Sequence, residues 1–315
     1  MTDTSLDLTA LVIGSGFGAS VMAPAFTAQG CDVQTISSRH MDDVEKALAG
    51  RAFDIVSIHS PPFLHLEHTR AALASGARLV LCDKPFGQHV EAARALVDVV
   101  HAGPAPLVVN YEFRHQPWRR SVKQLVDAHV LGEIESVHWL EVNDAWRGRE
   151  TGWQLDPTLG GGWFGASLSH VLDTLRWWLG DLTPHGAVVR SRTPDQAELG
   201  GEIVLTAGGT LCRISSSGVE SRNDRRVIID GTEGRIEIDA AGALTLVGVP
   251  WPEDVHPPGS GNEFSATITR FCTALCQSVR YDIGSIPHDP RFASAEDGLA
   301  IATALDTIRT VAVRV

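Results

Sequence analysis

The sequence predicts a doubly wound parallel α/β domain, then an α+β domain with a large, mostly antiparallel sheet. Three observations predict it. From Leu8 to Asn110, short apolar runs alternate with helix-period segments, the rhythm of a chain of βαβ units. A G-x-G-x-x-A stretch follows the first apolar run directly. Beyond Gly132, strand-like segments succeed one another with only turns between most of them.

Leu8 to Ile13 reads as a buried strand, leading into Gly14-Ser15-Gly16-Phe17-Gly18-Ala19 and a helix to about Gln29. In this motif the first glycine makes the turn and the second lets backbone approach a pyrophosphate. The small Ala19 lets helix and strand pack closely. The helix N-terminus then offers its unpaired N–H groups to the phosphates. Strand Asp32 to Ile36 ends at Ser37-Ser38-Arg39-His40, where an NAD-preferring site usually carries a carboxylate for the ribose 2′-hydroxyl. Hydroxyls with an arginine suit a 2′-phosphate, so preference for NADP over NAD is expected, with NAD remaining a possible cofactor.

Helix Met41 to Ala49 places Val44 and Leu48 on one face, and Phe53 to His59 is a third strand, stopped by Ser60-Pro61-Pro62. Helix Leu64 to Ser75 ends at Gly76. Strand Arg78 to Cys82 delivers Asp83-Lys84-Pro85 at its carboxyl end, the edge at which open parallel sheets bind ligands. Lys84 is therefore expected where a nicotinamide would lie. Helix Gln88 to His101 and strand Pro106 to Asn110 complete this half.

Helix His115 to Ala128 precedes strands at 133–144, 186–192, 200–206, 210–216, 226–230, 234–239 and 243–247. Between the first two of these, three glycines (Gly160, Gly161, Gly162) open a helix on which His170 and Asp173, three apart, share a face, with Ala166 four before His170. A Pro/Gly-rich loop spans 249–262, and Phe264, Ile268, Phe271 and Leu275 form a helical stripe. Ser294 and Asp297 resemble a capping box that starts a last helix running to about Ala312. The expected domains are 1–115 and 116–315, with the 294–312 helix a candidate to pack back on the first.

With 315 residues the chain suits one large or two ordinary domains, and 43% hydrophobic with 20% charged residues is a globular composition. A net charge of −12 argues against nucleic acid or an anionic membrane as partner. The longest apolar run near the start, Leu11-Val12-Ile13, is too short for a signal sequence or a span. Five cysteines are read as reduced buried thiols, which with the rest points to a cytoplasmic protein. No His/Cys/carboxylate cluster has metal-ligand spacing, so no metal is expected.

Taken in order, several stretches resemble the glucose–fructose oxidoreductase / inositol dehydrogenase family (Gfo/Idh/MocA type). They are Gly14 to Ala19, Asp54 to His65, Asp83-Lys84-Pro85 (similar to a Glu-Lys-Pro signature), Asn110 to Arg114 with Pro117, Gly160 to Asp173 (similar to G-G-G-x-x-x-D-x-G-x-H-x-x-D), and Val227 to Gly234. The resemblance implies a Rossmann domain and a dinucleotide oxidoreductase acting on sugars or polyols. It also implies a homodimer or homotetramer built through the large sheet. By carry-over, Lys84 donates to the substrate oxygen and His170 is the acid/base group. The dinucleotide would meet Gly14, Ser15, Gly16, Phe17, Gly18, Ala19, Ser37, Ser38, Arg39, Ser60, Pro61, His65, Asp83 and Lys84. The substrate would meet Lys84, Tyr111, Arg114, Trp146, Arg147, Trp153, His170 and Asp173, each aromatic among them either a contact or packing. His59 and His65 either shape the loop or touch ligand, and Asp173 either holds the His170 ring or serves as a helix cap or in a salt bridge.

Two departures stand out. Ala166 takes the place of the pattern's Asp, and Leu168 that of its Gly. The Lys/Asp/His set reduces to Lys84 and His170, which favours carbonyl reduction with NADPH. The alternative is a sensor or scaffold that binds NADP and ligand and has lost turnover.

Overall fold

A wholly parallel sheet is built by β1 (Thr9–Ile13), β2 (Asp32–Ile36), β3 (Ile55–Ile58), β4 (Leu79–Cys82) and β5 (Leu107–Val109) in the order β2-β1-β3-β4-β5. The computed structural model describes residues 8–148, 152–255, 257–258 and 264–315; residues 256 and 259–262 of the predicted 249–262 loop lie outside these. Strand order reverses between β1 and β3, which opens a crevice at their carboxyl ends, the ligand edge of such sheets. The helices α1 (Ala23–Ala28), α2 (Met41–Gly50), α3 (His65–Ala74) and α4 (Val90–Ala102) alternate with the strands as the periodicity predicts. The strands β3 and β4 are buried throughout because helices cover both faces of a parallel sheet. A π-helical turn, Gly18–Met22, precedes α1.

After α5 (Pro117–Asp127) comes the long strand β6 (Ile134–Val142). α6 (Ser169–Leu179) follows and is likewise entered through a π-helical turn, Phe164–Leu168. Then come β7 (Leu182–Arg190), β8 (Gly200–Ala207), β9 (Thr210–Ser217), β10 (Asp224–Gly231), β11 (Arg235–Ile238) and β12 (Leu244–Val247). With the terminal strand they make an eight-stranded sheet ordered β12-β11-β10-β6-β9-β8-β7-β13. The sheet is mixed: β6 pairs with β9 in parallel, and so do β7 and β13 (Ala312–Arg314), while the other neighbours are antiparallel. One face is a core of Val137, Trp139, Ile203, Cys212, Ile214, Val227 and Ile229. The opposite face carries Val188 and Val204, 42% and 39% exposed, among charged side chains. This period of two explains why the strands were legible.

Three differences from the sequence reading have physical causes. β7 begins at Leu182, before the expected Gly186, because a register shift between Pro184 and Gly186 absorbs a proline that cannot donate to the ladder. The last helix ends at Val311, and the three residues after it pair with β7 as an edge strand. The chain also does not divide at a single point: it forms one unit of 1–112 with 264–299 and another of 113–263 with 300–315. The segment 264–299, expected in the second domain, joins the first because α7 (Phe264–Tyr281) turns Ile268, Phe271, Leu275 and Val279 into the core of Leu8, Ala10, Val12 and Phe26. Phe264 of the predicted stripe stays 43% exposed.

The start of α8 (Ala295–Val311) carries the predicted capping box. Ser294 N–H donates to Asp297 Oδ2 at 3.0 Å, and Asp297 N–H donates to Ser294 Oγ at 3.2 Å. Gly298 lies on the ring of Phe86, so close that a Cβ there would fall 2.6 Å from it. Among the described residues no helix is long and apolar enough to cross a membrane.

Candidate active site

The glycine loop after β1 has the geometry a dinucleotide needs. Gly14 has φ of +142°, and a Cβ on it would lie 2.5 Å from His59 O. A Cβ on Gly16 would meet nothing within 4 Å, so that backbone is open to a ligand rather than packed. A Cβ on Gly18 would lie 2.9 Å from His59 Cβ and 3.0 Å from Val12 Cγ1. The close packing of helix on strand is thus made by Gly18, and Ala19, expected in that role, is half-exposed because the π-helical turn resets the phase. Gly14 N–H donates to Ile36 O at 2.9 Å, which ties the loop to the end of β2, where Ser37, Ser38 and Arg39 follow. Ser37 Oγ accepts from Arg39 N–H at 3.3 Å, and the Arg39 residue is exposed.

At the ends of β3, β4 and β5 the chain assembles a buried polar cluster. His59 Nδ1 is 3.1 Å from Asp83 Oδ2, and His59 Nε2 is 2.7 Å from Ser57 Oγ. Asp83 Oδ1 accepts from Lys84 N–H at 2.9 Å and from Asn110 Nδ2 at 3.2 Å. Burial pushes the Asp83 carboxyl up, but the charge and hydrogen bond of His59, with Lys84 and His65, outweigh it and hold it well below the usual carboxylate range. Lys84 is half-buried beside a cis Lys84–Pro85 peptide.

Ser60 and His65 hold each other. His65 Nε2 donates to Ser60 O at 2.9 Å, and His68 Nδ1 lies 3.0 Å from Ser60 Oγ. The His65 side chain is fully enclosed and braces the loop that carries Pro61. Burial lowers His65 to about 4, against which the Asp83 charge works, and burial with the neighbouring His65 lowers His68 to about 4. Both rings are neutral at pH 7. The unfolded chain takes these protons near its ordinary value of 6.5 and the folded chain resists until about 4, so stability is complete above pH 6.5 and falls as pH drops to 4. His65 alone is expected to remove about 3 kcal/mol over that window. Denaturant midpoints measured against pH check this: His65→Gln, which keeps the bond to Ser60 O, should flatten the decline, and an unchanged slope would refute it. A further loss below pH 4 belongs to Asp83, whose depressed value stabilises the fold above the unfolded carboxyl's and not below.

In the second unit α6 presents His170, 5% exposed, with its ring 4.3 Å from that of Phe113. Asp173, one turn on, is gripped by Arg114: Nε donates to Oδ2 at 3.0 Å and Nη2 to Oδ1 at 2.6 Å, both side chains nearly fully buried. Arg114 also lies over Trp177 at 5.7 Å. Of the roles left open for Asp173, the salt bridge is the one observed. Beneath α6 runs Arg119, which sequence reasoning missed. Its Nη1 donates to His170 O at 3.1 Å and to Thr174 Oγ1, and its guanidinium lies over the rings of Phe113, Trp118 and Trp139 at 5.0, 4.9 and 5.1 Å.

The glycine turn before α6 is braced by a second pair missed in the sequence. Glu198, buried, accepts from Arg309 Nη2 at 2.8 Å, and the same Nη2 donates to Gly161 O at 3.1 Å. Gly162, at φ +109°, has no room for a Cβ against the Glu198 carboxylate. Ala166 is half-buried, its N–H bonded to Gly162 O at 3.1 Å. Trp146 packs edge-on against Trp163 at 5.6 Å, and Trp163 Nε1 donates to Ser216 Oγ at 2.8 Å. Arg147 Nε is spent on Val219 O at 3.2 Å. Tyr111 is 2% exposed, and Trp153 is half-buried in a 3₁₀ turn, Gly152–Leu155. Among the described residues no group of three or more His, Cys, Asp or Glu could hold a metal ion.

Comparison with known proteins gives matches to both halves. Residues 27–111 match the sequence model "Oxidoreductase family, NAD-binding Rossmann fold" (GFO_IDH_MocA), and residues 119–237 match that of the GFO/IDH/MocA C-terminal domain. An uncharacterized oxidoreductase of Synechocystis sp. is 31% identical over 214 residues, which cover 61% of this chain and 57% of that relative. An inositol 2-dehydrogenase of Rhizobium meliloti is 26% identical over 324 residues, covering 97% of this chain and 90% of the relative. The WlbA dehydrogenase from Bordetella pertussis, solved in complex with NADH and UDP-GlcNAcA, superimposes with a TM-score of 0.81 at 17% identity over 98% of this chain and 96% of its own.

Proposed function

The chain belongs to the Gfo/Idh/MocA oxidoreductase family, and from that premise we propose that it is an NADP(H)-dependent oxidoreductase acting on a carbonyl or hydroxyl carbon of a small, sugar-like substrate. The observation that carries the reading is the glycine loop, in which Gly14 and Gly18 have no room for a side chain and Gly16 leaves its backbone open. Loop N–H groups would hold the pyrophosphate, and Ser37, Ser38 and Arg39 the 2′-phosphate. The nicotinamide, when bound, supplies or accepts the hydride.

The chain's own residues must manage the matching proton on the substrate oxygen. An ammonium at Lys84 donates to that oxygen and lowers the cost of negative charge there. His170 exchanges the proton, for which an imidazole is suited near neutral pH. Asp173 does not share this work. Its grip on Arg114 fixes α6, and so aims His170, without touching the reacting atoms. With Ala166 unable to carry a proton, reduction of a carbonyl is the favoured direction. Trp146 and Trp153 offer flat apolar faces of the kind that stack on sugar rings.

A second reading, a sensor or scaffold that binds NADP and ligand without turnover, is favoured by Ala166 alone. One experiment separates them. NADPH and NADH are titrated into the protein, and nicotinamide absorbance is followed with a panel of ketosugars. NADPH is expected to bind at least about tenfold more tightly, by roughly 1.4 kcal/mol, and to be consumed. Arg39→Asp should abolish the difference. Equal affinities would sink the NADP assignment, and tight binding with no consumption of any substrate would favour the sensor.

A further inference from the structure

His59 directly follows β3 and touches both the glycine loop and the Asp83–Lys84 turn. Its Cβ and carbonyl form the floor under Gly18 and Gly14, and its ring lies 5.5 Å from that of Phe17 in the same loop. Its Nδ1 is bonded to Asp83, whose other oxygen takes the Lys84 N–H and the Asn110 amide. The His59 side chain is 0% exposed. A pair held this far from water is not screened as a surface pair would be, and losing one partner strands the other.

The order Ser57–His59–Asp83 has the outline of a nucleophilic triad. Ser57, however, is itself fully buried in the middle of the parallel sheet, so no substrate carbonyl can reach its Oγ. The array orients; it does not attack. With a neutral ring, Nδ1–H donates to Asp83 and Nε2 accepts the Ser57 hydroxyl proton. With a protonated ring both nitrogens donate, and Ser57 Oγ accepts. Asp83 keeps its donor either way.

We propose that His59 is a positioning residue that couples the dinucleotide loop to Lys84, holding the loop with its backbone and Cβ and fixing Lys84 through Asp83. The inference rests on Lys84 having the role given above. It predicts that the bond to Asp83, and not the bulk of the ring, sets turnover.

The test uses substitutions that keep one ring nitrogen's function at a time. His59→Asn puts an amide donor near the place of Nδ1, whereas His59→Gln reaches toward Ser57 and loses Asp83. His59→Gln and Asp83→Asn should each lower kcat by about tenfold to a hundredfold, with KM and dinucleotide Kd within about threefold. His59→Asn should stay near the parent, and the double variant His59→Gln/Asp83→Asn should be no worse than Asp83→Asn alone.

A readout independent of turnover comes from the lysines. There are only three, Lys46, Lys84 and Lys123, so reductive ¹³C-methylation gives three lysine NMR signals beside that of the α-amino group, and Lys84→Met identifies the one from Lys84. That signal, in protein without dinucleotide, should move in His59→Gln and Asp83→Asn and stay in His59→Asn. An unmoved signal in His59→Gln, or additive losses in the double variant, would overturn the proposal. Should Lys84→Met itself retain turnover, the role given to Lys84 fails, while the methyl signals still decide whether His59 positions it.

Discussion

Lys84→Met is expected to lower turnover by about a thousandfold while leaving dinucleotide affinity within about threefold. The half-buried ammonium stands directly after Asp83 at the carboxyl end of β4. The substitution keeps the length of the side chain and removes both charge and proton. The loop that would hold the phosphates makes its structural contacts to His59, Val12 and Ile36, none of which involves the Lys84 side chain. Lys84→Arg refines the test, since a guanidinium keeps the charge but does not give up its proton near neutral pH. A recovery of most of the lost rate in Lys84→Arg would assign the effect to charge, and no recovery to proton donation. Single-turnover absorbance with pre-bound NADPH reads the chemical step. Turnover of Lys84→Met within tenfold of the parent would remove Lys84 from the mechanism.

Asp173→Ala should cost the second unit about 3–5 kcal/mol of stability, the loss expected when one half of a buried ion pair is removed. Arg114 is 3% exposed and gives Asp173 two nearly parallel donors, so truncation leaves a desolvated guanidinium without the carboxylate that neutralises it. The double variant Arg114→Met/Asp173→Leu should regain most of the loss, because a hydrophobic pair of similar volume replaces a costly one. Urea denaturation of the two single variants and the double variant gives the coupling directly. A loss below about 1 kcal/mol in Asp173→Ala would mean the pair contributes little, and would return Asp173 to consideration as a substrate ligand.

Much of this was legible in the sequence, and the limit has a plain physical form. The glycine loop, the strand ends, Lys84 and the Ser294–Asp297 cap rest on neighbours a few residues apart, so local period and turn chemistry reveal them. Glu198 and Arg309 are separated by 111 residues, and Arg119 and Thr174 by 55; such pairs leave no local pattern to read. The parallel pairing of β6 with β9 is invisible for the same reason, since alternation announces a strand but not its neighbour. His59 left a partial signal. It stood at a strand end beside the proposed ligand edge, but its partner Asp83 lies just past the end of the next strand. The return of α7 to the first unit was foreshadowed by its apolar stripe, which named a face without naming what covers it.

The two helices that carry the glycine loop and His170 both begin in a π-helical turn, at Gly18–Met22 and Phe164–Leu168. A turn of that kind holds one residue more than α geometry accommodates, so side chains before and after it do not share one helical phase. Deleting Ser167 would rewind the turn and swing the residues before it by about 100° relative to His170. Ala166 lies inside the second of these turns, so an acid introduced at position 166 would be aimed by the phase of the π-helical turn and not by that of α6.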